Sequence, residues 1–272
     1  MSMGVTGAAM VAGVVGHPVA HSMSPWLHGR WIAAAGLDAA YVPFACGADG
    51  FTRLVEGLRG GAIRGLNVTA PFKRDALALA DVAEGAARGR SANLLVFHRD
   101  GTVEARSTDG QGVLTALARR AAGLAVGRAM VLGAGGAGAA AAAALADAGW
   151  RVALVNRTLA TAEAVAAGLA GVEAAEWERL GTVLADAALL VNALPFAPEG
   201  VALHAGLTVL DMGYRPHWTP LLAAARAAGC GVVHGIDMLI AQAEPSFRAF
   251  YGVNVPHVAG LREAAVAAIG EG

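Results

Sequence analysis

Gly133, Gly135 and Gly138 stand at G-x-G-x-x-G spacing inside "VLGAGGAG", directly after a short apolar run and directly before an alanine-rich one. Glycines in that setting permit a tight turn, close approach of backbone to a pyrophosphate, and close helix–strand packing, with the helix N-terminus facing the anion. Gly133, Ala134, Gly135, Gly136 and Ala137 are therefore read as a dinucleotide cradle. The chain has 37 glycines, so the strand–loop–helix setting carries this reading more than the trio does. The next apolar run, "RVALVN", ends at Asn156-Arg157-Thr158. NAD sites place a carboxylate near this point on the ribose 2′-hydroxyl, whereas a guanidinium clamps a 2′-phosphate and stacks on adenine. NADP is favoured over NAD.

Two other residues have the types needed to move a proton. Lys73 ends "GLNVTAPFK" after a backbone-restricted Ala-Pro-Phe step, and Asp109 opens "DGQGVLTALARR". Each also has an ordinary reading, Lys73 as a solvated lysine at a helix start and Asp109 as a turn or N-cap residue. Metal chemistry is not expected. The eight histidines are scattered, and His17 and His21 span Pro18 without an H-E-x-x-H pattern.

The elements that must hold these residues follow from hydrophobic rhythm. "MVAGVVG" (10–16), "AAYVPFAC" and "IRGLNVT" are strand-like, with "FTRLVEGLRG" helical between the last two. Ser24 suits a helix N-cap, Pro25 the first turn and Gly36 the exit. Pro71 fixes the chain as it turns into "FKRDALALA". Segment 94–107 is two alternating runs around Asp100-Gly101, a strong hairpin signal. From "AMVLGAG" onward strands and helices alternate through "RVALVNR", "ALLVNAL", "LTVLDMG" and "CGVVHG", and the tail from about 236 returns to two helical segments. That is βαβ repetition, implying a parallel sheet with helices on both faces.

Composition agrees with an α/β protein of two domains. The chain has 272 residues, 56% hydrophobic and 15% charged, enough to bury a core and unlike a disordered segment. A formal net charge of −1 offers no footprint for nucleic acid or an anionic membrane. The apolar N-terminus lacks the charged start of an export signal, since the first Lys or Arg is Arg30, and reads as a short flexible start and a buried strand. The run Ala137–Ala148 contains Asp147 and is too short for a membrane span. Cys46 and Cys230 make neither a disulfide framework nor a zinc site, which suits a reducing cytoplasm.

Taken in order, "GHPVAHSMSP", "GLNVTAPFK", "SAN", "STDGQG", "GAGGAG", "NRT", "DMGYRPHWTPLL" and "GIDMLIAQAEPSF" closely resemble the motifs of the shikimate dehydrogenase family, from about residue 11 to 252. The resemblance implies an N-terminal α/β substrate domain (1–108 plus 241–272) and a Rossmann-like doubly wound NADP-binding domain (109–240). It implies reversible reduction of 3-dehydroshikimate to shikimate in aromatic amino-acid biosynthesis, with Lys73 and Asp109 as the catalytic pair. Ser22 and Ser24 would bind the substrate carboxylate, and Asn67, Thr69 and Asn93 the ring hydroxyls and their network. Tyr214 and Gln242 would also contact substrate, while Met212, Gly235 and Met238 would line the nicotinamide. A cleft closing on ligand is expected, with Gly110 and Gly112 at one crossing and Gly235 at the other.

The chemistry has a physical basis of its own. Hydride delivery to a ketone develops alkoxide charge, which a positioned donor must meet; Lys73 can donate, and Asp109 can keep it ionised and aimed. Some residues depart from the family pattern. His28-Gly29 replaces His-Asn, Leu94 follows Asn93 where Thr is usual, Ser107-Thr108-Asp109 replaces Asn-Thr-Asp, and "NALPFAPEG" replaces Asn-x-Thr/Ser-Pro-x-Gly-Met. Thr161 stands where NADP-preferring members often carry a second basic residue. A paralogue acting on quinate or an amino-substituted shikimate, and a silent shikimate- and NADPH-binding regulator, are the alternatives; monomer and homodimer both stay open.

Overall fold

The computed structural model describes residues 5–61, 63–84 and 91–270. Residues 1–4 of the expected flexible start lie outside them. The chain divides into two compact units, Met1–Thr108 with Ala243–Leu261, and Asp109–Gln242 with Arg262–Gly272. Residues 241–242 and 262–270, expected with the first unit, group with the second, and 271–272 lie outside the described residues. Arg262 gives the reason for the tail, since its guanidinium pairs with Asp237 of that same unit at 2.7 Å.

The first unit runs β1 (Met10–Gly16), α1 (Ser24–Ala34), β2 (Ala39–Ala45), α2 (Ala48–Gly57), β3 (Ile63–Val68), α3 (Lys73–Leu79), β4 (Val82–Ala83), β5 (Leu94–Phe97) and β6 (Val103–Arg106). Its sheet has the order β2-β1-β3-β5-β6-β4. Strand β1 pairs in parallel with β2 and β3, and β5 runs antiparallel to both β3 and β6. The Asp100-Gly101 hairpin forms as its residues demand: Gly101 takes φ +92°, and the Thr102 N–H donates to Asp100 Oδ1 at 2.9 Å. Phe51 of α2 and Phe72 stack at 4.7 Å with planes 4° apart, both buried. This ring pair pins the start of α3, where Lys73 stands.

A second cluster of this unit packs His28 and Trp31 of α1 with Tyr41 of β2 and with Phe247, Phe250 and Tyr251. His28 is fully buried, stacks on Tyr41 at 4.0 Å, and neither ring nitrogen has a hydrogen-bond partner. Burial pushes its pKa down to about 3. The unfolded chain therefore takes up a proton near pH 6.5 that the folded chain refuses until about pH 3, so stability falls as pH drops through that window. From pH 7 to 5 the expected loss is about 2 kcal/mol. His28→Phe should flatten this part of the stability–pH curve in denaturant unfolding; an unchanged slope between pH 5 and 7 would assign it to another group.

The second unit runs α4 (Asp109–Arg120), β7 (Arg128–Leu132), α5 (Gly136–Asp147), β8 (Arg151–Val155), α6 (Leu159–Ala166), β9 (Val172–Ala175), α7 (Leu180–Ala185), β10 (Leu189–Asn192), β11 (Thr208–Asp211), α8 (Pro220–Ala227) and β12 (Gly231–Val233). Then come α9 (Gly235–Tyr251), whose residues are shared with the first unit, and α10 (Leu261–Ile269). All six strands are parallel in the order β12-β11-β10-β7-β8-β9. The chain winds outward from β7 in both directions, which puts a ligand crevice at the carboxyl ends of β7 and β10. One apolar layer gathers Val113, Leu117 and Leu145 on one face, and another gathers Leu180, Val183 and Leu222 on the other. Among the described residues, no helix is long and apolar enough to cross a membrane, and no group of His, Cys, Asp and Glu could hold a metal ion.

Candidate active site

Lys73 is the first residue of α3. Its position is fixed through its main chain: the Lys73 carbonyl accepts from Ala92 N–H at 2.8 Å, and the preceding Phe72 is buried against Phe51. Lys73 itself is half-buried. Thr69, just after β3, donates its N–H to the Val15 carbonyl at 2.9 Å, and its side chain lies so close to Gly16 that a Cβ there would collide with it.

Asn67 stands at the centre of a buried network in the first unit. The Tyr41 hydroxyl donates to Asn67 Oδ1 at 2.8 Å, and Asn67 Nδ2 donates to the Asn93 carbonyl at 3.2 Å and to Ser246 Oγ at 2.8 Å. Both amide hydrogens are thereby committed, leaving Oδ1 one acceptor site. Burial, together with nearby Tyr251, holds the Tyr41 pKa well above the usual phenol range, only partly opposed by a hydrogen bond with the Ser24 side chain. Tyr41 thus stays a donor and joins Ser24 to Asn67. Ser24 differs from its expected role as N-cap: Met23 precedes the helix with helical backbone and no side chain caps it. Ser22 Oγ accepts from Ser24 N–H at 3.3 Å. Tyr41→Phe should leave Asn67 Oδ1 without its donor, costing about 1–3 kcal/mol of stability in denaturant unfolding; a cost near zero would mean that this hydrogen bond contributes nothing net.

Asn93 grips Thr108 twice, Asn93 Nδ2 donating to Thr108 Oγ1 at 2.9 Å and Thr108 N–H donating to Asn93 Oδ1 at 2.7 Å. The next residue is Asp109, 5% exposed and the first of α4, a position at which the helix dipole favours a carboxylate. Gly110 and Gly112 are packing residues within the second unit. A Cβ on Gly110 would stand 2.6 Å from the Ala140 carbonyl, and one on Gly112 2.7 Å from Gln242 Cβ. Helix α4 thereby lies tightly on α5 and beside Gln242, whose Nε2 donates to the Leu239 carbonyl at 3.1 Å.

The glycine segment forms the expected turn between β7 and α5. Gly133 takes φ +96°, a Cβ on Gly138 would collide with the Gly133 carbonyl, and a Cβ on Gly135 would meet no protein atom within 4 Å. The open side at Gly135 is the space a pyrophosphate needs, so the cradle fits a dinucleotide. Asn156 braces it: Oδ1 accepts from Ala134 N–H at 3.2 Å and Nδ2 donates to the Thr158 carbonyl at 3.0 Å. Arg157 is exposed just beyond β8, with its guanidinium carbon 5.5 Å from the Phe196 ring centroid. Neither Asp nor Glu stands at this strand end.

Met212 and Met238 pack on the same apolar layer, Met238 6% exposed. A Cβ on Gly235 would stand 2.6 Å from the Met212 carbonyl, so the start of α9 lies directly on the chain leaving β11. Tyr214 follows in a turn organised by Asp211, which accepts from Gly213 N–H, Asn192 Nδ2 and Thr219 Oγ1. Burial raises the Asp211 pKa despite those three donors.

The predicted residues therefore gather in two sets: Ser22, Ser24, Asn67, Thr69, Lys73 and Asn93 on the first unit, and Asp109, Tyr214 and Gln242 with all the nucleotide residues on the second. Sequence reasoning missed Tyr41, Thr108, Asp211 and Ser246. Thr108 stood next to a candidate acid, but the fixing role of Tyr41 and Ser246 depends on pairings 26 and 179 positions away.

Comparison with known proteins is consistent along the chain. Residues 14–95 match the family model described as shikimate dehydrogenase substrate binding domain, and residues 116–198 that described as shikimate / quinate 5-dehydrogenase. The chain is 49% identical over 265 residues to a protein of Caulobacter vibrioides named shikimate dehydrogenase (NADP(+)), covering 93% of each. A Thermus thermophilus shikimate 5-dehydrogenase, solved with NADP(H) and shikimate, is 35% identical with TM-score 0.82, over 95% of this chain and 99% of that one. A quinate dehydrogenase from Corynebacterium glutamicum, solved with NAD, is 27% identical with TM-score 0.85, over 95% and 99%.

Proposed function

The chain belongs to the shikimate dehydrogenase family, and from that premise we propose that it catalyses the reversible NADP-dependent interconversion of 3-dehydroshikimate and shikimate, a step of aromatic amino-acid biosynthesis. The observation that carries the cofactor half of this reading is Arg157, in place of a carboxylate, beside a glycine cradle open at Gly135. The substrate half rests on the hydrogen-bonded frame that joins Ser24, Tyr41, Asn67 and Asn93, with Lys73 tied by its carbonyl to Ala92, the residue before Asn93.

NADPH, when bound, supplies the hydride. The Lys73 ammonium donates a proton to the oxygen on which charge develops, and the Asp109 carboxylate keeps that ammonium charged and aimed. In the oxidative direction the same atoms return the proton. Ser22 and Ser24 hydroxyls hold the substrate carboxylate. Asn67, with both amide hydrogens committed, contributes an acceptor at Oδ1 to a ring hydroxyl, while Thr69 and Asn93 hold its neighbours. Tyr214 and Gln242 complete the substrate contacts. Gly133, Ala134, Gly135, Gly136 and Ala137 present backbone to the pyrophosphate, Asn156, Arg157 and Thr158 receive the adenosine end, and Met212, Gly235 and Met238 form the nicotinamide wall. Both cysteines are free, which suits a cytoplasmic enzyme.

Steady-state rates with shikimate or quinate, each with NADP or NAD, test the reading. The expected order puts shikimate with NADP first in kcat/KM. Faster turnover of quinate, or of NAD, would move the chain to another activity of the family, and no turnover with measurable binding of both ligands would make it a regulator.

A further inference from the structure

The loop after β10 places an aromatic ring where the nucleotide reading has only one cation. Between Arg157 and Arg179 the sequence has no Lys or Arg, so a 2′-phosphate at the end of β8 has Arg157 alone to meet it from that segment. An arginine at an exposed strand end samples many rotamers, and ordering it on binding weakens affinity. Something that orders it beforehand would strengthen recognition of the phosphate.

Phe196 has the required geometry. Phe196 is 42% exposed, and the Arg157 guanidinium carbon stands 5.5 Å from its ring centroid, within cation–π range. The loop that carries it is built, not loose. Asn192 Nδ2 donates both to the Phe196 carbonyl at 3.2 Å and to Asp211 Oδ1 at 3.1 Å, while Asn192 Oδ1 accepts from Leu194 N–H at 3.2 Å. Leu194 of the same loop lies over the glycine turn, its Cδ2 3.0 Å from where a Cβ of Gly133 would be. Strand β7 lies between β8 and β10 in the sheet, so the turns that leave all three strands meet at one edge.

We propose that Phe196 is a positioning residue for NADP selectivity: its ring holds the Arg157 guanidinium at the end of β8, ready for the 2′-phosphate. The proposal rests on the NADP reading above. It makes one residue of the β10 loop a determinant of cofactor choice through its contact with Arg157, with the phosphate itself bound by the arginine. A ring of any aromatic type would serve, whereas loss of the ring would release Arg157 without changing its charge.

Calorimetric titration of the full chain with adenosine 2′,5′-bisphosphate and with AMP, which lacks the 2′-phosphate, tests this without turnover. Phe196→Ala should weaken the bisphosphate by about fivefold, about 1 kcal/mol at 1.4 kcal/mol per decade. AMP should change by less than about twofold, since it gives Arg157 no phosphate at that position. Phe196→Tyr should bind as the unaltered chain does, and Phe196→Ala should have no further effect when Arg157→Ala is already present. Three results would overturn the proposal while leaving the NADP reading intact: no loss in Phe196→Ala, an equal loss on both ligands, or the same loss in the Arg157→Ala background. An unaltered chain that fails to prefer the bisphosphate over AMP would overturn both.

Discussion

Lys73→Ala lowers kcat for shikimate oxidation by about 10²–10⁴-fold, the usual contribution of a positioned proton donor or acceptor, while affinity for NADPH changes little. The second half of that expectation gives the first its meaning. Lys73 belongs to the first unit, whereas Gly133, Gly135, Asn156 and Arg157 belong to the second. The change to alanine leaves two backbone features of that site in place, the Ala92 N–H to Lys73 carbonyl bond and the helix ladder, while the cradle is braced within its own unit by Asn156. Stability should also hold, because alanine keeps both and favours the helix. Steady-state kinetics together with fluorescence titration of NADPH reads the two quantities separately. Turnover within a few-fold of the unaltered chain would remove Lys73 from the chemistry; loss of NADPH binding alongside turnover would make its effect structural.

A second large effect is expected far from the chemistry. Asp237, 6% exposed near the start of α9, accepts from Arg120 Nε of α4 at 2.6 Å and from Arg262 of α10 at 2.7 and 3.0 Å. One carboxylate ties three helices of the second unit. Asp237→Ala leaves two guanidinium groups facing each other across a buried gap. Breaking a buried pair costs about 3–5 kcal/mol, and partial exposure of both arginines reduces that to roughly 2–4 kcal/mol. An apparent Tm lower by roughly 5–15 °C follows. Burial favours the neutral acid, but the hydrogen bonds and charge of Arg262 and then Arg120 outweigh it and hold the Asp237 carboxyl below the usual carboxylate range. A depressed folded pKa contributes stability above the unfolded value, about pH 4, and that contribution is lost as pH falls below it. The Tm gap between Asp237→Ala and the unaltered chain should therefore be widest near neutral pH and narrow in acid. This separates it from His28, whose window opens at pH 6.5. A gap under about 2 °C at pH 7 would mean that the three helices are held by apolar packing alone.

The parts of the fold that were legible in the sequence are those whose cause is local. Strand β1 occupies Met10–Gly16 because an unbroken apolar run has one stable use in a parallel sheet, and the hairpin turns at Gly101 because φ of +92° suits glycine. The glycine turn before α5 has the same character. Strand β9, Val172–Ala175, and helix α7 were not legible. "VEAA" has weak strand propensity and forms only because β8 offers its edge. The site divides along the same line. Lys73, Asp109, Asn156 and Arg157 announce themselves by type at an element's end, whereas the residues that hold them do so by distant pairing. Tyr41 and Ser246 are ordinary until folding brings their hydroxyls to Asn67, and Phe196 reads as a loop apolar until its ring meets Arg157. Ser24 shows the limit of local rules from the other side, since its hydroxyl serves Tyr41 and not the helix start.

A crystal structure of the complex with shikimate and NADP is the measurement that bears most directly on the assignment of Lys73 and Asp109 as the proton-transferring pair. The expected result is one ring hydroxyl, the one that becomes the ketone, with both the Lys73 ammonium and the Asp109 carboxylate within about 2.6–3.2 Å or one bridging water. A complex with the nicotinamide in place and either residue beyond that reach would contradict it.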